Sequence, residues 1–199
     1  MDYTKTEAVD SYLQEVLTPK RYKHSLGVQK MAGKLAKIHG ADVEKARYAG
    51  LVHDIAKCCT VEEMNEQVRR YGLPDRYLDD PALAHSKVGV CILKEKFGVD
   101  DPEILMAVSS HTTGRYGMSL LEEILYVSDA IEENRQYDDA DRLRKLARKD
   151  LDLCCLEVID FCLKELERKG KAVDEDSLGA LRFIRERLER REIVKRKKY

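Results

Sequence analysis

Residues 18–40 read TPKRYKHSLGVQKMAGKLAKIHG, and this stretch decides the fold class. Thr18 before Pro19 is a helix start: the hydroxyl accepts from a free first-turn amide, and proline has the required φ and no N–H to leave unpaired. Apolar side chains then return at helical spacing through Val28, Met31, Leu35 and Ile38, until Gly40 ends the run. His24 stands in the same buried stripe. A helix with a polar ring on its apolar face is therefore the first expectation.

The same pattern recurs in both directions. Val9, Tyr12, Leu13, Val16 and Leu17 mark one face of a preceding helix. Asp42 can cap a third, running through Ala46, Ala49 and His53 to about Lys57. Thr60 and Glu63 spell a capping box, and that helix closes near Gly72 and Pro74. A helix from about Pro81 to Phe97 stops at Gly98, and Asp101-Pro102 opens another reaching His111. After a loop from Thr113 to Gly117, Ser119 and Glu122 form a second capping box, starting an apolar helix that contains Asp129. Further helices are expected around 139–148, 151–169 and 177–195. No stretch alternates with period two between hairpin turns, and no repeat or low-complexity linker appears. The expectation is a single all-α domain over 1–199, a bundle of eight to ten helices with its core at about 8–195 and a basic end at 182–199.

Composition narrows the class. The 199 residues carry 36 Lys+Arg against 37 Asp+Glu, and 43% are hydrophobic. That supports a packed core and argues against a dedicated nucleic-acid binder, which carries a strong positive excess. No apolar run approaches the ~20 residues of a membrane span. The opening MDYTKTEAVD is acidic where a signal peptide is basic and then apolar. A soluble, cytoplasmic chain with no membrane partner is expected. The six cysteines include no CxxC and are read as reduced, structural thiols inside apolar helical segments. Residues 182–199 hold nine Arg and Lys against three Glu, so the tail is +6 on a body of −7. KRKK at 195–198 is read as a solvated helix end complementing the macrodipole, or as a disordered tail.

Four of the five histidines stand in unusual places: His24 in its apolar stripe, His53 followed by Asp54, His85 in LAHS, and His111 running into TTG. Asp129 is embedded in LYVSDAI. Burying an ionised carboxylate or an imidazole without a partner is costly, and several such groups on inward helix faces call for a shared solution. A cation supplies it. A mixed His/Asp set without thiolate suits iron, manganese or another octahedral-leaning ion. Four protein ligands then leave two positions for water and a substrate oxygen, the arrangement of a hydrolytic site. Lys57, at i+4 from His53 on the expected helix, projects from the same face and suits an anionic substrate. His39, before Gly40, is read as a helix-end histidine, and Glu132 and Glu133 as surface charge, with Glu132 able to pair with Arg135 at i+3.

The order His24, His53-Asp54, Asp129 resembles the H…HD…D signature of the HD superfamily of metal-dependent phosphohydrolases, which are all-helical. HDIAK at 53–57, AHS at 84–86, HTTG at 111–114 and SDAIEENR at 128–135 are similar to the bacterial YqeK family, whose members are symmetrical bis(5′-nucleosyl)-tetraphosphatases. The likeness runs from about residue 8 to 195. It implies that His24, His53, Asp54 and Asp129 hold an iron-type cation. It implies further that His85 and His111 line the same pocket or serve a second ion, and that Lys57, Thr112 and Arg135 bind polyphosphate. Ser109-Ser110 is smaller than expected for many relatives.

The expected activity is symmetrical hydrolysis of diadenosine tetraphosphate to two ADP by a metal-bound hydroxide. Asp54, Lys57 and His111 are the catalytic residues, with His85 or His111 as proton donor and Lys57 and Arg135 on the equatorial oxygens. Two other readings compete: a nucleoside monophosphate or cyclic-nucleotide phosphohydrolase using the same site, and a helical RNA- or ribosome-binding regulator using the basic tail. The partners expected are the nucleotide substrate, its ADP or GDP product, and a second copy in a homodimer.

Overall fold

Helix starts stand where a side chain is free to accept from the first amides. In a computed structural model describing residues 6–196, the helices are α1 (Thr6–Val16), α2 (Pro19–His39), α3 (Val43–Val52), α4 (Val61–Arg70), α5 (Pro81–Phe97), α6 (Pro102–Ser110), α7 (Leu120–Ile131), α8 (Ala140–Lys149), α9 (Leu151–Arg168) and α10 (Glu175–Arg196). Thr18, Asp42, Asp80, Asp101 and Asp150 each accept from a first-turn amide. Both expected capping boxes form, at Thr60/Glu63 and Ser119/Glu122. Gly40 and Gly98 end α2 and α5 in the left-handed region, at φ 78 and 61, where a β-carbon is costly. No strand occurs among the described residues. Residues 1–5 and 197–199, and with them the ends of the expected domain and of KRKK, lie outside the described residues.

At the centre is α7, whose residues from Leu121 to Ser128 are all buried. A helix apolar nearly all round belongs inside, and α2, α3, α6, α8 and α9 pack around it. The α2–α3 contact is the most intimate. A β-carbon on Gly50 would lie 2.8 Å from the Gln29 backbone, so glycine is what lets the two helices meet there. Leu35, Leu51, Ile104, Ile124, Leu125 and Ile159, each no more than 1% exposed, belong to one continuous core. Each such side chain contributes about 1.5–3 kcal/mol of burial.

The basic end is used internally. Arg187 and Arg191 of α10 pair with Asp152, and Arg191 also forks onto Asp150 at 2.6 and 2.9 Å. Arg185 and Arg190 pair with Asp160 and Glu186. Arg185, Arg187 and Arg191 clamp α10 onto α9 and its N-cap, while the Arg190 pair stays within α10.

Four expectations are corrected. Ile38 is 48% exposed, so the buried stripe of α2 ends at Ala36. His39 next to it reaches across to the Ala147 carbonyl of α8 at 2.7 Å instead of serving its own helix end. Helix α3 stops at Val52, and 53–58 form tight turns with Ile55 N–H donating to Val52 O and Lys57 N–H to Asp54 O. All six cysteines are free thiols, but Cys58, exposed on this turn, and Cys59 just after it are not inside a helix. No helix among the described residues is long and apolar enough to cross a membrane.

Candidate metal centre

The turn after α3 carries the heart of the site. His53 follows the last residue of the helix, and Asp54 sits beside it, 0 and 2% exposed. The i-to-i+3 turns that replace helix here swing both side chains inward together. Around them, α2 contributes His24, α5 contributes His85, the residue after α6 is His111, and α7 contributes Asp129. His85 and His111 are 0 and 3% exposed, while 26% of the Asp129 side chain faces solvent.

All four rings are held the same way. His53 Nδ1 lies 2.8 Å from Gly50 O, His85 Nδ1 3.2 Å from Pro81 O, and His111 Nδ1 2.7 Å from Val108 O. A carbonyl can only accept, so Nδ1 carries the proton in each and Nε2 points inward. His24 Nδ1 meets the Glu132 carboxylate at 3.1 Å, with the same result. His24 Nε2 comes within 2.9 Å of Asp129 Oδ1, and His53 Nε2 within 3.3 Å of Asp54 Oδ2. Neither nitrogen has a hydrogen-bond partner. Lone pair thus faces lone pair, in a buried place.

A divalent cation fits that demand. His24, His53 and Asp129 form one group, and His53, Asp54 and His111 another, with donor atoms inside each group within 4.8 Å of one another. His53 belongs to both, and Asp54 beside it turns Oδ2 to His53 and Oδ1 toward His85 Nε2 at 3.3 Å and His111 Nε2 at 3.6 Å. Oxygen and imidazole donors without thiolate suit the octahedral-leaning ions.

The electrostatics agree. Burial pushes Asp54 up, but His53, His111 and His85 outweigh it and hold the carboxyl well below the usual range. Burial likewise opposes Asp129, yet His24 and His53 keep it low. Burial presses His53 down, and Asp54 and Asp129 raise it past its ordinary value. The pocket favours positive charge. His85 goes the other way, driven down to about 4 by burial, with His111 and Lys57 adding to the effect.

The remaining candidates also converge. Lys57 reaches His85 Nε2 at 3.2 Å although its backbone is in a turn, so the helix-face geometry expected for it is replaced by a bend that does the same task. Thr112 Oγ1 lies 3.3 Å from His85 Nε2. Arg135 donates to Asp129 Oδ1 at 2.9 Å and to its carbonyl at 3.0 Å. It therefore does not pair with the Glu132 side chain.

Two participants escape a reading by motif. Arg21 donates to Asp54 Oδ2 at 2.8 Å; its only sequence signal is that it stands one turn before His24. Glu132, expected at the surface, is 1% exposed. Its Oε1 orients His24, and its Oε2 accepts from the Asn134 backbone and side-chain nitrogens at 2.7 and 2.8 Å. Such a carboxylate behind a ligating histidine fixes the tautomer and strengthens the ligand. Glu133 does remain outside, paired with Lys30 and Lys34.

Two chambers flank the centre. One, of about 450 Å³, has Lys20, Arg21, Lys23 and Arg135 on its walls against Glu132 and Glu133, a basic excess. The other, of about 240 Å³, is lined by His111, Thr112, Asp129 and Arg135 together with the mostly apolar Tyr137, Leu143, Val158 and Phe161.

Comparison with known proteins gives the same picture. Residues 21–146 match the HD domain family. The chain is 40% identical to the symmetrical bis(5′-nucleosyl)-tetraphosphatase of Bacillus subtilis (strain 168) over 166 residues, 83% of this chain and 89% of that one. With the Staphylococcus aureus (strain NCTC 8325 / PS 47) protein of the same name the identity is 33%, over 85 and 89% of the two chains. A crystal structure from Clostridium acetobutylicum, described as a predicted HD superfamily hydrolase involved in NAD metabolism, superposes with a TM-score of 0.87 at 40% identity. That likeness covers 92% of this chain and 97% of that one. The chain belongs to the HD domain family, and within it to the family of the symmetrical bis(5′-nucleosyl)-tetraphosphatases.

Proposed function

We propose that this protein hydrolyses dinucleoside tetraphosphates at the central anhydride, turning diadenosine tetraphosphate into two ADP, with a divalent metal, iron first among the candidates. The observation that carries the reading is the unpartnered pair His24 Nε2 and His53 Nε2, buried against the Asp54 and Asp129 carboxylates beside a basic chamber. His24, His53, Asp54 and Asp129 would hold the ion. When bound, a divalent ion supplies Lewis-acid chemistry, polarising phosphoryl oxygen and lowering the pKa of water.

The chain's own residues do the rest. Lys57, Arg21 and Arg135 bring three cations to the rim of the centre, where the polyphosphate is most crowded with charge. Thr112 can donate its hydroxyl to a phosphate oxygen. His85 Nε2 and His111 Nε2 are 3.0 Å apart, and Lys57 Nζ stands 3.2 Å from the first of them. His85 or His111 is the group placed to give a proton to the leaving phosphate oxygen. If a second ion binds, His111 joins His53 and Asp54 in holding it instead. Nucleotide chemistry and free thiols fit a cytoplasmic protein.

The test is product analysis on metal-loaded protein. Two equivalents of ADP per diadenosine tetraphosphate support the reading, and ATP plus AMP, or inertness with metal bound, overturns it. Elemental analysis of protein isolated without added metal reads the ion and its stoichiometry.

A further inference from the structure

We propose that the smaller chamber is a nucleobase subsite, in which one heterocycle of the substrate lies against an aromatic platform made by Tyr137 and Phe161. The inference rests on the reading of the substrate as a dinucleoside polyphosphate, and adds where and how one of its bases is held.

Phe161 is the starting observation. It occupies the middle of α9, yet 51% of its surface is exposed. Cys155, Val158 and Ile159 of the same helix are at most 2% exposed, so α9 has buried its apolar face and left this ring outside. Core packing does not account for it. What it does touch is Tyr137: the two rings are stacked, with centroids 5.7 Å apart and planes 12° from parallel.

Tyr137 is fixed in place. Its hydroxyl donates to the Ala130 carbonyl at 2.9 Å, tying the ring to the residue after Asp129. The tyrosine's polar group is thereby consumed, and its ring serves as surface. A rigid, parallel, half-open aromatic pair is the shape that receives a planar heterocycle, because every base has a π-face whatever its edges carry.

The location completes the argument. Both rings line the cavity of about 240 Å³ that His111, Thr112, Asp129 and Arg135, all residues of the proposed centre, also line. Arg135 also belongs to the basic chamber on the other side. A polyphosphate held at Arg135 and Thr112 therefore has an apolar pocket within reach of its own nucleoside. Leu143 and Val158 add aliphatic wall, and stacking on an aromatic platform tolerates any base, so adenine and guanine are expected to bind comparably.

Phe161→Ala tests this, since a half-exposed ring can be removed with the fold kept; far-UV circular dichroism and metal content serve as the check. In the metal-loaded full chain, KM for diadenosine tetraphosphate should rise by roughly tenfold, with the loss carried by KM more than by kcat, and Phe161→Trp should restore it. In titration calorimetry, Phe161→Ala should weaken ADP by a similar factor and leave inorganic pyrophosphate unaffected. Equal weakening of ADP and pyrophosphate, or of neither, overturns the proposal. A wild-type protein that does not cleave diadenosine tetraphosphate sinks the substrate reading instead, while unchanged KM in Phe161→Ala beside an active wild type sinks only the base subsite.

Discussion

Gly27 and Glu132 are in direct contact: a β-carbon on Gly27 would lie 2.1 Å from Glu132 Oε2 and 3.0 Å from Asn134 Nδ2. The bare backbone of α2 at that point is what admits the carboxylate that orients His24. Gly27→Ala should push Glu132 away and lower metal affinity by roughly 10–100-fold, as loss of an outer carboxylate does. Glu132→Ala should do the same through the same ring. Titration of metal-free protein with the ion reads both, and a wild-type dissociation constant in Gly27→Ala would refute the link.

Ligand and charge variants should separate. His53→Ala and Asp54→Ala are expected to lose metal and activity together. Lys57→Ala should keep its metal and lose at least tenfold in kcat, because the ammonium faces His85 and not the unpartnered nitrogens. Metal content measured beside turnover distinguishes them; a Lys57→Ala protein that arrives without metal contradicts the assignment.

A stability prediction attaches to the far end of α7. Burial lifts the Glu123 carboxyl to about 7, against the pull of Arg187 at 2.5 Å. A carboxyl whose folded pKa exceeds its unfolded one takes up protons on folding, so its contribution is full below about pH 4.5 and is lost as pH rises to about 7. The lost contribution is about 3 kcal/mol. Glu123→Gln should flatten that window: the wild type falls relative to the variant between pH 4.5 and 7 in urea denaturation. Parallel curves would show that the arginine keeps Glu123 ionised throughout.

Chelation should lower the melting temperature of the wild type, since the proposed ligands come from α2, the turn after α3, and α7, and an ion binding only the folded chain stabilises it by about 2.7 kcal/mol at a hundredfold excess over Kd. Calorimetry with and without chelator checks this. Asp129→Asn should melt at the same temperature in both.

What could be read from the sequence was local. Thr60/Glu63 and Ser119/Glu122 announce helix starts because a cap needs only its own first turn. His24, His53, Asp54 and Asp129 were legible because polar groups in apolar stripes are conspicuous. Glu132 was not, because its burial depends on a glycine of another helix, and Arg21 was not, because one arginine among three neighbouring cations carries no mark of the carboxylate it meets. The end of α3 misled for a similar reason: apolar spacing continues through Ile55 and Ala56 while the backbone has already tightened into turns.

The two chambers differ in size and in chemistry, about 450 Å³ and basic against about 240 Å³ and apolar, whereas the molecule they are proposed to hold is a palindrome. The cleft therefore imposes a direction on a substrate that has none. For two identical halves the direction is invisible in the products. With a mixed dinucleotide cleaved in heavy-oxygen water, the label enters only the half that is attacked, so its distribution between the two diphosphates records which end was seated in which chamber.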